Sequence, residues 1–367
     1  MCESKGGVVM KEFSCETKII MGANAVAALE QEHLGRLFIV SDPFFSKNGW
    51  PERLGKYAKA YEIFDKVAPD PSVALVAEGT ARVQAFQPDG ILALGGGSAM
   101  DCAKAMAYFS GLDIPLIAVP TTSGSGSEVT DFAILTHDGV KHPLVDKKLR
   151  PKIAILEEEL LAGMPPSLIA DCGFDVLAHA LEAWVSQNAN PMADALALEA
   201  FRTVLESLVP SFQGDVSVRL QIHAASAMAG LAFTQSGLGL CHAFSHALGG
   251  QFHIPHGRLN AILLPAVVSC NADTMGAKYA DLARKIGLGG ANDAMGVRNL
   301  KNALIRLRAA LKLPGSLVQA GIDAGEIRVK TDVLVHAVLA DPCCATNPTP
   351  VTEELVRGVL REVTGRG

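Results

Sequence analysis

The chain has 367 residues and carries 32 Lys and Arg against 38 Asp and Glu, a formal net charge of −6. This balance, without a basic stripe, argues against a nucleic-acid partner, and no apolar run reaches the roughly 18 residues that a membrane span needs. The amino terminus lacks the pattern of a secretory signal. The eight cysteines form no CxxC pair and are expected as reduced thiols. We therefore expect a cytoplasmic enzyme.

The first part of the chain alternates short apolar runs with helical stretches, and the predicted strands lie at residues 36–42, 61–67, 90–94, 115–119 and 153–156. Strands separated by helices indicate βαβ units and a mostly parallel sheet. We therefore predict a parallel-sheet α/β domain over residues 1–161.

Beyond residue 161 the chain is rich in Ala, Leu and Met at helical spacing. The predicted helices lie at residues 175–185, 191–208, 216–232, 278–285 and 298–311. No strand of comparable quality follows. We predict that residues 162–367 form a second, all-helical domain, so that the chain is an α/β protein of two domains.

Two glycine-rich segments follow predicted strands, GGGSAMD at residues 95–101 and PTTSGSGSEVT at residues 120–130. Ser98 and Asp101 have the spacing of a capping box. Either segment alone could be a tight turn or a flexible linker. Two such turns at the carboxyl ends of neighbouring parallel strands, however, are where open α/β sheets bind nucleotides, and the following helix would offer free N–H groups to a phosphate. We favour a dinucleotide-binding role.

Asp42 ends the first predicted strand. A carboxylate there could bind an adenosine ribose and repel a 2′-phosphate, which would favour NAD over NADP. The alternative is that Asp42 caps a turn, and the sequence does not separate the two.

Histidines and one aspartate form two clusters with metal-ligand spacing. Asp175 and His179 are four residues apart on a predicted helix, so they share a face. His242 and His246 are again four apart, and His256 follows in a Pro-His-Gly turn. A lone buried histidine is usually structural, but a carboxylate with several imidazoles suits Fe(II), Zn(II), Mn(II), Ni(II) or Co(II). We predict a metal site in the helical domain.

The segments GGGSAMDCAKA, PTTSGSGSEVT, GFDVLAHALEAWVS and GLGLCHAFSHALGGQFHIPHG together resemble the iron-containing alcohol dehydrogenases. Within that family the chain most resembles the propanol dehydrogenases of propanediol utilisation. The resemblance implies a dinucleotide-binding domain and a helical metal-binding domain with the active site between them, and it implies NAD and Fe(II) as cofactors, with Zn(II) as another ion that could be bound. The metal ligands implied are Asp175, His179, His242 and His256.

The resemblance also assigns the NAD site, and together with helical spacing and imidazole chemistry it points to a catalytic residue. His246 would lie beside the nicotinamide without binding the metal and relay a proton; His253 is the competing candidate. The residues assigned to NAD, from the resemblance and the glycine-rich turns, are Asp42, Asp70, Gly96, Gly97, Ser98, Asp101, Thr121, Thr122, Ser125, Lys141 and Leu160.

These features predict reversible hydride transfer between a short-chain primary alcohol or aldehyde and NAD, with propanal and 1-propanol as the expected pair. The alternatives are a polyol dehydrogenase acting on 1,3-propanediol or glycerol, a lyase similar to dehydroquinate synthase, and a structural component of an enzyme shell. We expect a homodimer or larger homo-oligomer and no membrane partner. Association with a bacterial microcompartment would fit the resemblance.

Overall fold

The computed structural model of the chain describes residues 13–137 and 140–365. A parallel sheet flanked by helices is followed by a region built of helices, so the predicted fold class is confirmed. The strands are β1 (Lys18–Gly22), β2 (Arg36–Ser41), β3 (Ala60–Phe64), β4 (Gly90–Gly95), β5 (Leu116–Pro120), β6 (Phe132–His137), β7 (Val140–Val145) and β8 (Ile153–Glu157).

Short helices and 3₁₀ turns connect the strands, and long helices follow residue 165. The α-helices are α1 (Pro43–Lys47), α2 (Trp50–Gly55), α3 (Val73–Phe86), α4 (Gly97–Ser110), α5 (Glu158–Leu161), α6 (Pro166–Val185), α7 (Pro191–Phe212), α8 (Arg219–Ser236), α9 (Leu240–Phe252), α10 (His256–Lys285), α11 (Asp293–Ala310), α12 (Ala324–Ala340) and α13 (Glu353–Thr364).

Six strands form one parallel sheet in the order β1-β8-β5-β4-β2-β3, and β6 pairs with β7 in a separate antiparallel hairpin. Side chains of a strand alternate between the two faces. In β2, Leu37 and Ile39 enter one apolar core, while Phe38 and Val40 enter the other. Because both faces are covered, the central strands are continuous apolar runs in the sequence.

The register of the central strands places the two glycine-rich segments side by side. Strands β4 and β5 are neighbours, with Gly95 opposite Pro120, and both segments start at the carboxyl ends of these strands. The amide of Thr121 donates to the carbonyl of Gly95 over 2.9 Å. The turns therefore leave the same edge of the sheet.

The helical region has one continuous apolar core, whose members run from Leu161 to Val363. Helix α6 lies at its centre, is buried along almost its whole length and contacts α7, α8 and α10 extensively. Many of its buried residues are alanines, which allow neighbouring helices to approach. No strand occurs between residues 158 and 365, and no helix in the described ranges is long and apolar enough to cross a membrane.

All five predicted strands are present with shifts of one to three residues at their ends, whereas β1 and the β6–β7 hairpin escaped the sequence analysis. The predicted helices lie within α6, α7, α8, α10 and α11, except that Val216–Val218 forms a 3₁₀ turn and Leu311 lies one residue beyond α11. The seven cysteines in the described part of the chain are all free thiols.

Candidate metal centre and nucleotide cleft

Three helices bring the four predicted metal ligands to one point. Asp175 and His179 lie on α6, His242 lies on α9, and His256 is the first residue of α10. The Nε2 atoms of His179, His242 and His256 lie 3.8, 3.7 and 3.5 Å from Asp175 Oδ1. Three imidazoles thus surround one carboxylate oxygen, which is the arrangement expected around a shared cation.

A close helix contact positions His256. Gly257 follows it, and a Cβ atom built on Gly257 would lie 1.8 Å from the carbonyl oxygen of Asp171 on α6. Any side chain at Gly257 would therefore push α10 away from α6. Beside this contact Arg258 donates from Nε and Nη2 to the two oxygens of Asp171, over 3.2 and 2.9 Å. Together these contacts fix the start of α10.

A buried carboxylate that the sequence analysis missed orients His242. Glu182 Oε2 lies 2.6 Å from His242 Nδ1, and the same carboxylate accepts hydrogen bonds from the amides of Gly239 and Cys241 over 2.9 and 2.6 Å. Nδ1 donates to Glu182, so Nε2 faces Asp175. A signal was present, because Glu182 lies seven residues after Asp175 and three after His179, on the same side of α6.

Asn260 provides a second connection that sequence reasoning did not find. Its Nδ2 donates to Asp175 Oδ1 over 2.8 Å, and its Oδ1 accepts from Ser245 Oγ over 2.5 Å. Asn260 is fully buried. It fixes the carboxylate of Asp175 from α10, one turn beyond His256.

Burial and charge act in opposite directions at this cluster. Burial would raise the pKa of Asp175, but the surrounding imidazoles lower it below its usual range. Burial lowers the pKa of His179 to about 4 and also lowers that of His256. Burial would lower the pKa of His242 as well, but the hydrogen bond to Glu182 and the nearby carboxylate of Asp175 raise it to about 9. The carboxylates of Asp175 and Glu182 thus stabilise a positive charge on the His242 ring or next to it.

The donor set fits a divalent metal ion. The Nε2 atom of His242 is buried and has no hydrogen-bond partner, although an unpaired buried polar atom normally costs free energy. A ligand set of one carboxylate and three imidazoles suits Fe(II) or Zn(II), and the outer carboxylate on His242 is a usual partner of a metal-bound imidazole.

The two remaining histidines of the cluster have different surroundings. His246 lies on α9 one turn beyond His242, and its ring stacks on that of His256 with centroids 5.4 Å apart. Its Nδ1 lies 2.8 Å from Asp341 Oδ2. His253 is exposed and ends α9 in the left-handed conformation, with φ of 55°. His246 therefore adjoins the metal ligands, whereas His253 shapes the connection between α9 and α10.

The glycine-rich turns face each other closely. Cβ atoms built on Gly96 and Gly97 would lie 3.1 Å from Thr122 Oγ1 and 3.2 Å from Ser125 Oγ. Two other glycines serve packing on the helical region. Gly124 lies against Cys172 of α6, and Gly126 lies against Gly230 of α8. The second turn is therefore held between the sheet edge and helices α6 and α8, of which α6 carries two of the predicted metal ligands.

The predicted capping box is wrong. Helix α4 begins at Gly97 after Gly96, and no side chain caps it, because the chain leaves β4 through a tight glycine turn. Asp101 instead points inward, accepting from Ser127 Oγ over 2.9 Å and from the amide of Ile134 over 3.1 Å. Its carboxylate ties the second turn and β6 to α4.

The other residues predicted to bind NAD lie around this edge. Asp42 Oδ1 caps α1 by accepting from the amides of Phe44 and Phe45 over 2.9 and 3.1 Å, so the capping alternative is observed. The amide of Asp70 donates to Ser98 Oγ over 3.3 Å, and Lys141 Nζ lies 2.7 Å from Asp70 Oδ1. Thr121 and Leu160 are largely buried.

The candidate metal centre lies on helices that adjoin the second glycine-rich turn. Residues 16–158 match the family described as iron-containing alcohol dehydrogenase, and residues 169–364 match its C-terminal domain. The chain belongs to the iron-containing alcohol dehydrogenase family and is an oxidoreductase.

Individual relatives support that assignment. The chain is 39% identical to the 1-propanol dehydrogenase PduQ of Salmonella typhimurium, over 96% of this chain and all of the relative. It is 36% identical to an NADPH-dependent butanol dehydrogenase of Clostridium saccharobutylicum, over 82% of each chain. The sulfoacetaldehyde reductase of Bifidobacterium kashiwanohense, solved in complex with NAD⁺, is 26% identical with a TM-score of 0.89 and covers 98% of this chain and all of its own.

Proposed function

We propose that the chain interconverts 1-propanol and propanal with NAD, and more broadly acts on short-chain primary alcohols and aldehydes. The observation that carries this proposal is the meeting of Asp175, His179, His242 and His256 at one carboxylate oxygen. The similarity to a named 1-propanol dehydrogenase supports the choice of substrate.

The four residues would hold Fe(II), with Zn(II) as a competing ion. Bound there, the cation would act as a Lewis acid that lowers the pKa of an alcohol hydroxyl and polarises an aldehyde carbonyl. Glu182 and Asn260 keep the ligands in place through His242 and Asp175. Asp175, His179 and His242 are almost fully buried, whereas about a third of the His256 side chain is accessible. Burial of the first three strengthens the electrostatic interactions within the site.

In this proposal NAD binds at the edge formed by the two glycine-rich turns. The amides at the start of α4 and the hydroxyls of Thr121, Thr122 and Ser125 would contact the phosphates. Asp42 keeps one oxygen available, since Oδ1 accepts both amide hydrogen bonds. Lys141 lies beside these residues, because it forms an ion pair with Asp70. The division near residue 161 then separates an NAD-binding domain from a metal-binding domain.

Alcohol oxidation also releases a proton, and His246 is the proposed relay. It lies beside His256 and is partly exposed, with about a quarter of its side chain accessible. Its hydrogen bond to Asp341 fixes the direction of the ring. His253, exposed at the end of α9, has no comparable position.

A metal-controlled substrate panel tests this function. Protein stripped by chelation is reloaded with Fe(II) or Zn(II), and NADH formation is followed with 1-propanol, ethanol, 1,3-propanediol and glycerol. We expect turnover only in metal-loaded protein, faster with 1-propanol than with the polyols, and abolished in His256→Ala. Full activity in metal-free protein would refute the proposed role of the metal, and a preference for glycerol would favour the polyol alternative.

Homo-oligomer formation, a cytoplasmic location and association with a microcompartment remain predictions from the sequence. Light scattering on the purified chain measures the first of these directly.

A further inference from the structure

A second group of metal-ligating side chains lies next to the candidate metal centre. His246, Asp341 and Cys343 each offer one ligand atom, and the three atoms lie within 4.8 Å of one another. None of them belongs to the first ligand set. All three residues are partly accessible, so a cation can reach them from solvent.

Two separate parts of the chain form this group. His246 is on α9, while Asp341 caps the 3₁₀ turn Pro342–Thr346 by accepting from the amide of Cys343 over 2.8 Å. The other carboxylate oxygen of Asp341 lies 2.8 Å from His246 Nδ1. A backbone hydrogen bond thus holds the carboxylate between the imidazole and the thiol.

A bound cation can take the place of the protons that face the Asp341 carboxylate. That carboxylate lies 2.8 Å from His246 Nδ1 and offers an oxygen within 4.8 Å of the Cys343 sulfur. Burial raises the pKa of Cys343, and the nearby Asp341 raises it further, so the sulfur carries its proton at neutral pH. A bound divalent ion would release that thiol proton to solvent and form a bond to the thiolate.

The kinds of ligand atom determine which metal each group prefers. The first ligand set consists of one oxygen and three nitrogens, whereas this group adds sulfur. Thiolate, imidazole and carboxylate together are ordinary ligands of Zn(II), and soft sulfur favours Zn(II) over Fe(II).

We propose that His246, Asp341 and Cys343 form a second, inhibitory cation site that prefers Zn(II). The inhibitory effect rests on the proposed function, because an ion bound there would occupy the histidine assigned to proton transfer. The stacking of His246 on His256 places the two sites side by side. Two cations so close repel each other, and the charges of Asp341 and the thiolate only partly offset this repulsion. The second ion therefore binds more weakly than the first.

Spectroscopy can detect this site without any enzymatic activity. Co(II) and Cd(II) bound to a thiolate give a ligand-to-metal charge-transfer band in the ultraviolet, and none of the first four ligands contains sulfur. We expect titration of the protein with Cd(II) to give such a band for about one thiolate per chain. Cys343→Ser should lose the band. Cys344→Ser is the matched control, because its sulfur points to the carbonyl of Val338, and it should keep the band.

An activity measurement tests the inhibition separately. Excess Zn(II) added to metal-loaded enzyme should inhibit wild type and Cys344→Ser alike. In Cys343→Ser the inhibition constant for Zn(II) should rise. The rise should exceed the 10- to 100-fold that typically follows when a metal ligand loses its hydrogen-bond partner. Absence of the band in wild type, or its retention in Cys343→Ser, overturns the site. Equal zinc inhibition in wild type and Cys343→Ser overturns the regulatory role. If the chain proves inactive on alcohols, the band still decides whether the site exists.

Discussion

Glu182 Oε2 and His242 Nδ1 lie 2.6 Å apart in the interior of the helical region. Because Glu182 also accepts two backbone amides at the start of α9, its carboxylate is fixed before any metal binds. This contact settles which nitrogen of His242 is available to an ion, since Nδ1 is engaged by Glu182 and Nε2 faces Asp175. The metal affinity of the site should therefore depend on a residue that does not touch the metal.

Glu182→Gln tests that dependence. We expect the affinity for Fe(II) or Zn(II) to fall about 10- to 100-fold, the usual effect of losing an outer carboxylate partner. Metal content at equilibrium with a competing chelator measures it. Glu199→Gln, on the exposed side of α7 where Glu199 pairs with Arg202, is the control and should leave metal content unchanged. An unaltered affinity in Glu182→Gln would show that the negative charge of Glu182 is not needed for metal binding.

Asp42 has two separable roles, and two substitutions distinguish them. Asn caps helices as well as Asp does, so Asp42→Asn should preserve stability while removing the charge that opposes a 2′-phosphate. We expect the preference for NAD over NADP to fall about tenfold or more, corresponding to ~1–3 kcal/mol. Asp42→Ala should relax the preference similarly and also lose about 1 kcal/mol of stability with the cap.

Specificity constants with both cofactors, together with urea unfolding, give the comparison. The relative named as NADPH-dependent makes the outcome informative, because cofactor preference differs within the family. Equal use of both cofactors by the wild type would remove Asp42 from the ribose site and leave it a helix cap only.

Substitutions of His246 and His253 test the proton relay separately from the connection between α9 and α10. His246→Ala should retain the first metal ion but lower kcat about 100-fold or more, the usual contribution of a positioned acid or base, and flatten the pH–rate profile. His253→Asn is the matched variant, because Asn tolerates the left-handed backbone observed there, and its kcat should stay near the wild-type value. An unchanged pH–rate profile in metal-loaded His246→Ala would contradict the relay.

Gly257 has the tightest contact near the ligands, and adding one methyl group tests it. A Cβ atom would lie 1.8 Å from Asp171 O, so Gly257→Ala must move α10 and with it His256. We expect a loss of stability of a few kcal/mol, in the range of other overpacking substitutions, and weaker metal binding. At Gly250 on α9 a Cβ meets nothing within 4 Å, so Gly250→Ala should be neutral or stabilising by about 0.5–1 kcal/mol. Thermal unfolding with and without metal measures both.

The sequence predicted the sheet well where burial is complete and less well at its margins. Every residue of β4 and β5 is buried, so these strands are unbroken apolar runs. Strand β1 lies at the edge of the sheet beside β8, and its residues are exposed or only partly buried without a regular alternation. Its pattern is weak for that reason, and only pairing with β8 defines it.

The meeting of Asp175, His179, His242 and His256 was predictable, because helical spacing pairs the first two, a compact histidine cluster supplies the others and the family resemblance selects among them. Asp341 was not, since it lies 95 residues from His246 and meets it only when α12 returns to α9. The second turn is clearly rich in glycine, but the sequence does not show why the glycines are needed there. Gly124 and Gly126 serve close contacts with α6 and α8, which no local pattern reveals.

The cluster at Asp175 joins α6, α9 and α10, whose ligands are separated by up to 81 positions along the chain. An ion that bridges them would act as a cross-link between segments that are distant in sequence, and its binding free energy would add to the stability of the fold by mass action. Removing it should loosen this part of the protein first, where His256 meets α6 at the start of α10. The same ion that activates the substrate would thus make folding and catalytic competence depend on metal supply together.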